Sequence, residues 1–182
     1  MRELALNVLD IADNSIKAGA KNIEIKVIAD KGLLTIEITD DGCGMSKEFL
    51  AKVIDPYTTT RDTRNVGLGI PLFKMEAEMS GGEFCINSTE GVGTKVVASF
   101  VIDNIDRPPL GDLSETIIAL LPACTDIELR FSFRYNGNEF AFDTGELKEQ
   151  LEDASIDEPY VLRFVKETIQ ENIQTILGGV VL

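Results

Sequence analysis

An acidic pair followed by two glycines, Asp40-Asp41-Gly42-Cys43-Gly44-Met45, is the stretch of this sequence best suited to chemistry. It follows the alternating apolar run 34–39, which predicts a half-buried strand. The glycines allow a tight turn and let the backbone approach a ligand closely. A carboxylate held beside that backbone suits a flat, hydrogen-bonding ligand such as a purine. An ordinary acidic turn is the alternative that this stretch alone leaves open.

Two more patterns indicate a phosphate ligand. Asp10 and Asn14 lie one helical turn apart, and an amide oxygen such as that of Asn14 suits a hard cation such as Mg²⁺. Asp10 could orient or deprotonate a nucleophile near a terminal phosphate. Gly67 and Gly69 open a helix, where backbone N–H groups and the helix dipole favour phosphate. Neither the P-loop pattern nor Gly-x-Gly-x-x-Gly directly after a strand is present, which argues against both of those nucleotide folds.

The elements that must position these residues follow from apolar periodicity and turn residues. We predict helices at 2–18, 46–54, after Gly69, 113–121, after Asp143 and from Pro159, and strands at 22–28, 33–39, 83–87, 95–101, 126–134 and 139–142. The residues 57–65 are polar and without periodicity, so we predict a loop. The helix after Gly69 carries Leu72, Met75 and Met79 on one face, and we expect Met75 and Met79 to lie in the core. We expect Cys43 to be a small buried filler.

A proline-rich segment, 103–112, predicts a domain boundary. The expected organisation is a first domain at 1–102, a linker at 103–112 and a small α/β domain at 113–182 that could dock a partner. Its phenylalanines at 131, 133, 140 and 142 are expected to form its core.

Four boxes, in order, make the chain resemble the ATP-binding module shared by gyrase, the ninety-kilodalton heat-shock chaperones, sensor histidine kinases and MutL-type repair proteins. They are Asp10-x-x-x-Asn14-Ser15-Ile16-Lys17-Ala18-Gly19-Ala20, Asp40-x-Gly42-x-Gly44, Asp55-Pro56-Tyr57-Thr58-Thr59-Thr60-Arg61, and Gly67-Leu68-Gly69-Ile70 with Gly81-Gly82 and Gly91-Val92-Gly93-Thr94 downstream. The resemblance covers roughly residues 3 to 102. It implies an α/β fold, a Bergerat-type two-layer sandwich with helices on one face of a mixed sheet and a small C-terminal α/β extension.

The resemblance also implies a set of roles for Mg-ATP. Asp40 would accept from the adenine amino group, Asn14 would bind Mg²⁺, and Asp10 would be the base. The nucleotide-binding residues it implies are Asn14, Lys17, Asp40, Gly42, Gly44, Met45, Thr60, Arg61, Val66, Gly67, Leu68, Gly69 and Thr94. Arg64 is an alternative to Arg61 for the terminal phosphate, and a solvated loop charge is the alternative for both. The loop 58–65 would be a lid that orders on nucleotide binding.

Two departures from the family pattern leave alternatives open. Asp10 stands where hydrolysing members carry a glutamate, and a second register, Glu3-x-x-x-Asn7-x-x-Asp10, also matches the box. We prefer the Asn14 register because its box runs directly into a strand, as the family's does. Lys17 favours the kinase branch, although a surface ion pair with Asp13 is its alternative role.

Composition excludes several classes of function. The net charge is −14, from 31 acidic and 17 basic residues, which argues against nucleic acid and anionic membranes. We see no signal peptide and no membrane-spanning run, and three dispersed cysteines fit a reducing cytoplasm.

The sequence predicts a kinase or ATPase acting on a partner protein in signalling, and the alternative is a non-catalytic module controlled by ATP. No histidine is present, so a kinase would need its phosphoacceptor on another chain. Whether the chain forms a homodimer is open.

Overall fold

The computed structural model describes residues 3–54, 68–151 and 154–182. Its helices are α1 (Leu4–Lys17), α2 (Lys47–Ile54), α3 (Gly69–Met79), α4 (Leu113–Leu120), α5 (Thr144–Gln150) and α6 (Pro159–Leu177), and a 3-10 turn at Leu121–Thr125 follows α4. Its strands are β1 (Asn22–Asp30), β2 (Leu33–Asp40), β3 (Phe84–Thr89), β4 (Gly93–Val101), β5 (Glu128–Tyr135) and β6 (Asn138–Asp143). Each helix and strand predicted from the sequence is present, with ends that differ by a few residues.

The strands form one six-stranded mixed sheet in the order β3-β4-β2-β1-β5-β6. β1 and β5 are parallel, and the other neighbours are antiparallel. Alternate residues of β1 and β2 are buried, as expected for a sheet with helices on one face. This is the α/β architecture that the resemblance implies.

The segment 113–182 adds its two strands to the sheet of the first segment, because β5 pairs with β1 over its whole length. Phe131 and Phe133 are buried in the shared core, while Phe140 and Phe142 are half-buried. The predicted division into 1–102, 103–112 and 113–182 remains a prediction about folding units, which truncation would test.

The predicted linker contacts the start of α1. The first N–H groups of a helix have no partner within it. The N–H of Leu4 donates to the carbonyl of Pro109 at 2.9 Å, and that of Ala5 donates to the carbonyl of Leu110 at 2.8 Å. The linker therefore caps the helix that carries the candidate catalytic residues.

The prediction that Met75 and Met79 of α3 lie in the core is wrong. Met75 and Met79 are 48% and 56% exposed, and the helix buries Ile70, Phe73 and Ala77 instead. Both sets have helical spacing, so periodicity alone does not separate them. The Phe73 ring packs edge-on against Phe84, with ring centroids 6.4 Å apart, and burying this larger aromatic group sets the rotation of the helix.

Among the described residues, no helix combines the length and apolar character needed to cross a bilayer.

Candidate functional site

A cavity of about 330 Å³ lies between the helical layer and the ends of β2 and β4. Its lining is mostly apolar, with a few polar groups, which is typical of small-molecule sites. It is lined by Ile11, Asn14, Ser15, Lys17, Ala18, Ile38, Asp40, Cys43, Gly44, Met45, Phe49, Val53, Ile70, Thr94 and Val96. Six predicted nucleotide-binding residues are therefore together in one cavity: Asn14, Lys17, Asp40, Gly44, Met45 and Thr94.

Asp40, the last residue of β2, is held by two donors. Its Oδ2 accepts from the hydroxyl of Ser15 at 2.6 Å, and its Oδ1 accepts from the N–H of Gly42 at 2.9 Å. Each carboxylate oxygen can accept more than one hydrogen bond. The carboxylate is thus fixed in orientation and can still accept from a ligand in the cavity.

Two glycines let the backbone close around this carboxylate. Gly44 has a φ of +63°, and a Cβ there would lie 2.0 Å from the carbonyl oxygen of Thr89. Gly93 has a φ of +138°, and a Cβ there would lie 2.0 Å from the carbonyl oxygen of Asp40. Both positions combine a left-handed backbone with a close approach, so any side chain would force the turns apart.

Asp41, the second acid of the pair, is part of the scaffold. Its Oδ1 accepts from the N–H groups of Lys21 and Asn22 at 2.7 and 2.8 Å, and its Oδ2 accepts from Nδ2 of Asn22 at 2.7 Å. The backbone hydrogen bond from Asn22, followed by its side-chain bond, lowers the pKa of Asp41 below its ordinary value. Asp41 therefore anchors the turn to the start of β1, and Asp40 is the acid that faces the cavity.

Asn14 and Lys17 on α1 line the cavity opposite the strands. Lys17 also forms the alternative ion pair, with 2.5 Å between its Nζ and Oδ2 of Asp13. Asp10 lies one turn earlier and is half-buried. A Cβ placed on Gly69, the first residue of α3, would be 3.2 Å from the Asp10 Cβ and 3.7 Å from its Oδ2. The N-terminus of α3 therefore lies directly beside Asp10.

The residues of the alternative register lie elsewhere. Asn7 is fully buried; its amide donates to Glu76 of α3, and its Oδ1 has no hydrogen-bond partner among the described residues. Glu3 precedes α1 and lies against Gly111. Neither lines the cavity, whereas Asn14 does. This placement favours the Asn14 register, and the chemical role of Asp10 remains a prediction.

The other predicted residues have different outcomes. Gly42 is buried beside Asp40, and Leu68 is 64% exposed. Four predicted residues lie outside the described residues: Thr60, Arg61, Val66 and Gly67. The predicted lid, 58–65 with Arg64, lies outside them too. On either side of this gap, Val53 and Ile70 line the cavity. Cys43 was expected to be buried, which is wrong: it is exposed at the cavity, because the close packing of this turn is achieved by its glycines.

Sequence reasoning missed Ser15 and the apolar walls of the cavity. Ser15 is 3% exposed and shares the buried stripe of α1 with Val8 and Ala12, a spacing of three and four that was a usable signal. Ile38 lies two residues before Asp40, so strand alternation places both on one face. The pattern indicates burial but does not tell a cavity wall from the core.

A comparison with protein families identifies the family of this chain. The model of the family described as "Histidine kinase-, DNA gyrase B-, and HSP90-like ATPase" matches residues 2–104. The chain belongs to this family. The match includes the whole cavity, and it supports ATP binding in a kinase-like domain.

Three individual relatives are kinases by name. The chain is 34% identical over 152 residues to histidine protein kinase DivJ of Caulobacter vibrioides, a match that covers 66% of this chain and 26% of that protein. It is 29% identical over 97 residues to sensor histidine kinase YvrG of Bacillus subtilis, covering 50% and 17%. It is 26% identical over 115 residues to autoinducer 2 sensor kinase/phosphatase LuxQ of Vibrio cholerae, covering 59% and 13%. The chain therefore matches only about a quarter or less of the length of these relatives.

Proposed function

We propose that this chain binds Mg-ATP in the cavity and acts as a kinase or ATPase on a partner protein. Adenine would lie against Asp40, and the phosphates would extend towards the N-terminus of α3. The observation that carries the proposal is the Asp40 carboxylate, held by Ser15 and Gly42 in a cavity that Asn14 also lines. The family match supports the ATP part of it.

The site offers an oxygen ligand of the kind that Mg²⁺ prefers. Mg²⁺ prefers oxygen ligands and is commonly held by one or two protein oxygens together with substrate phosphates and water. The amide oxygen of Asn14, which lines the cavity, is such an oxygen. This residue fits the ion, which would neutralise phosphate charge when bound. Among the described residues there is no group of three or more cysteine, aspartate or glutamate side chains that could hold a metal by itself.

The chain's own residues divide the remaining work. Asp40 would select the base, the N–H groups at the start of α3 would face phosphate, and Asp10 would orient or deprotonate the attacking group. The sequence contains no histidine, so a phosphoacceptor histidine would lie outside these 182 residues. A serine or threonine hydroxyl of a partner is another acceptor that this chemistry allows.

The test separates binding from turnover with two variants of α1. Asn14→Ala should weaken Mg-ATP binding, since it removes a metal ligand. Asp10→Asn should leave binding nearly intact and lower turnover by ~10²–10⁴-fold, the usual cost of a lost general base. Binding is measured by calorimetry and turnover with γ-labelled ATP, alone and with candidate acceptor proteins.

The outcomes distinguish the alternatives. Turnover without a partner would identify an ATPase, and turnover only with an acceptor would identify a kinase. ATP binding that alters partner affinity without turnover would identify a regulatory switch. A normal rate of ATP turnover in Asp10→Asn, together with no turnover in Glu3→Gln, would overturn the Asn14 register.

A further inference from the structure

Ser88 of β3 makes polar contacts to three residues at the base end of the cavity. Its Oγ accepts from the N–H of Met45 at 2.8 Å. It also lies 2.9 Å from Oγ1 of Thr94 and 3.1 Å from the carbonyl oxygen of Gly93. Met45 and Thr94 line the cavity, whereas Ser88 is not one of the described lining residues. Ser88 therefore contacts two residues that would lie against the adenine base.

The single hydroxyl proton of Ser88 limits what Thr94 can do. If Ser88 donates to Gly93, the short contact with Thr94 requires Thr94 to donate to Ser88, and Thr94 can then only accept from a ligand. If Ser88 donates to Thr94, the Thr94 hydroxyl proton is available to a ligand. A ring nitrogen of adenine that accepts a hydrogen bond needs the second arrangement.

We propose that Ser88 is a positioning residue for nucleotide binding, which sets the direction of the Thr94 hydroxyl towards the base. The proposal rests on the proposed function, since it assumes that adenine occupies this end of the cavity. Ser88 acts through Thr94, and the Met45 N–H fixes the Ser88 side chain by occupying one of its lone pairs.

The surrounding contacts allow this role to be tested without dismantling the turn. The N–H of Gly91 donates to the carbonyl of Cys43 at 2.7 Å, which joins the same turn to the β3–β4 hairpin independently of Ser88. Removing the Ser88 hydroxyl should therefore leave the two segments attached.

The experiment compares Ser88→Thr with Ser88→Val, which are nearly equal in size and differ in the hydroxyl. The affinity of Ser88→Thr for Mg-ATP should be within ~2-fold of the wild type. The affinity of Ser88→Val should be ~10-fold lower, the usual effect of one lost hydrogen bond at a polar site. The matched control is Ser99→Val on β4. Ser99 also accepts a backbone N–H, from Glu83 at 2.9 Å, but it does not line the cavity, so its variant should bind as the wild type does.

Comparing ATP with an analogue distinguishes a positioning role of Ser88 from a merely structural one. With 1-deaza-ATP, which lacks the ring nitrogen N1, the loss caused by Ser88→Val should be at least ~5-fold smaller than with ATP, because no acceptor remains for Thr94. The ratio of the two affinities within one variant does not depend on how much of the protein is folded. Equal losses for both ligands, or wild-type ATP affinity in Ser88→Val, would overturn the role of Ser88 alone. A wild type that binds neither nucleotide would instead overturn the proposed function.

Discussion

Replacing Gly44 by alanine tests whether the turn after β2 needs its close contact with β3. A Cβ at this position would be 2.0 Å from the carbonyl oxygen of Thr89, well below the 3.0 Å that real Cβ atoms keep. The turn would have to move by about an ångström away from β3. Gly91 is a matched control, because its φ of +77° is also left-handed but nothing lies within 4 Å of its added Cβ.

The expected magnitudes follow from these contacts. Both alanines carry the left-handed backbone penalty of about 1–2 kcal/mol. In Gly44→Ala the shift also strains two hydrogen bonds, Met45 N–H to Ser88 Oγ at 2.8 Å and Gly91 N–H to the Cys43 carbonyl at 2.7 Å. At about 0.5–1.5 kcal/mol each, they bring the total to about 2–5 kcal/mol.

Urea unfolding and calorimetric titration with Mg-ATP are the assays. Gly91→Ala should lose a little stability and keep its affinity for ATP, whereas Gly44→Ala should lose more stability and at least tenfold in affinity. Equal stability and equal affinity in the two variants would refute the inference that close packing at Gly44 shapes the cavity.

Two further predictions concern the acids of this turn. Ser15→Ala removes the 2.6 Å hydrogen bond to Asp40 and should weaken ATP binding ~10-fold or more in calorimetry, because bonds to charged groups contribute about 1.5–3 kcal/mol; the equally buried Ser80→Ala should not. The lowered pKa of Asp41, caused first by Asn22, stabilises the fold above pH 3.8, its ordinary value. That contribution should disappear as the pH falls from 3.8 towards the folded pKa, and in acid unfolding followed by circular dichroism Asp41→Asn should show a weaker pH dependence there.

Much of the fold could be predicted from local patterns. Strand alternation located both strands of the β1–β2 hairpin and both strands of the β5–β6 hairpin. The pairing of β1 with β5 could not be predicted in this way, because it joins residues about a hundred positions apart and depends on the packing of the whole helical layer.

The site shows the same division between local and tertiary information. The glycines and Asp40 stood out because their chemistry and spacing are unusual. Ser15 was marked only by its place on the buried stripe of α1, and Ser88 by no local pattern, because the roles of both serines arise from neighbours far away in the chain. The rotation of α3 was missed because the packing of Phe73 against Phe84 and Phe100 decides which of two apolar stripes is buried.

Calorimetric titration of the wild type and Asp40→Asn with Mg-ATP tests the central claim most directly. The wild type should bind with micromolar affinity. Asp40→Asn should bind ~5–100-fold more weakly, because the amide would present a donor to the adenine amino group and leave a buried polar group unpaired, at about 1–3 kcal/mol. Purine riboside triphosphate, which lacks the amino group, should show little difference between the two proteins. Wild-type affinity for ATP in Asp40→Asn would contradict the assignment of this cavity to adenine.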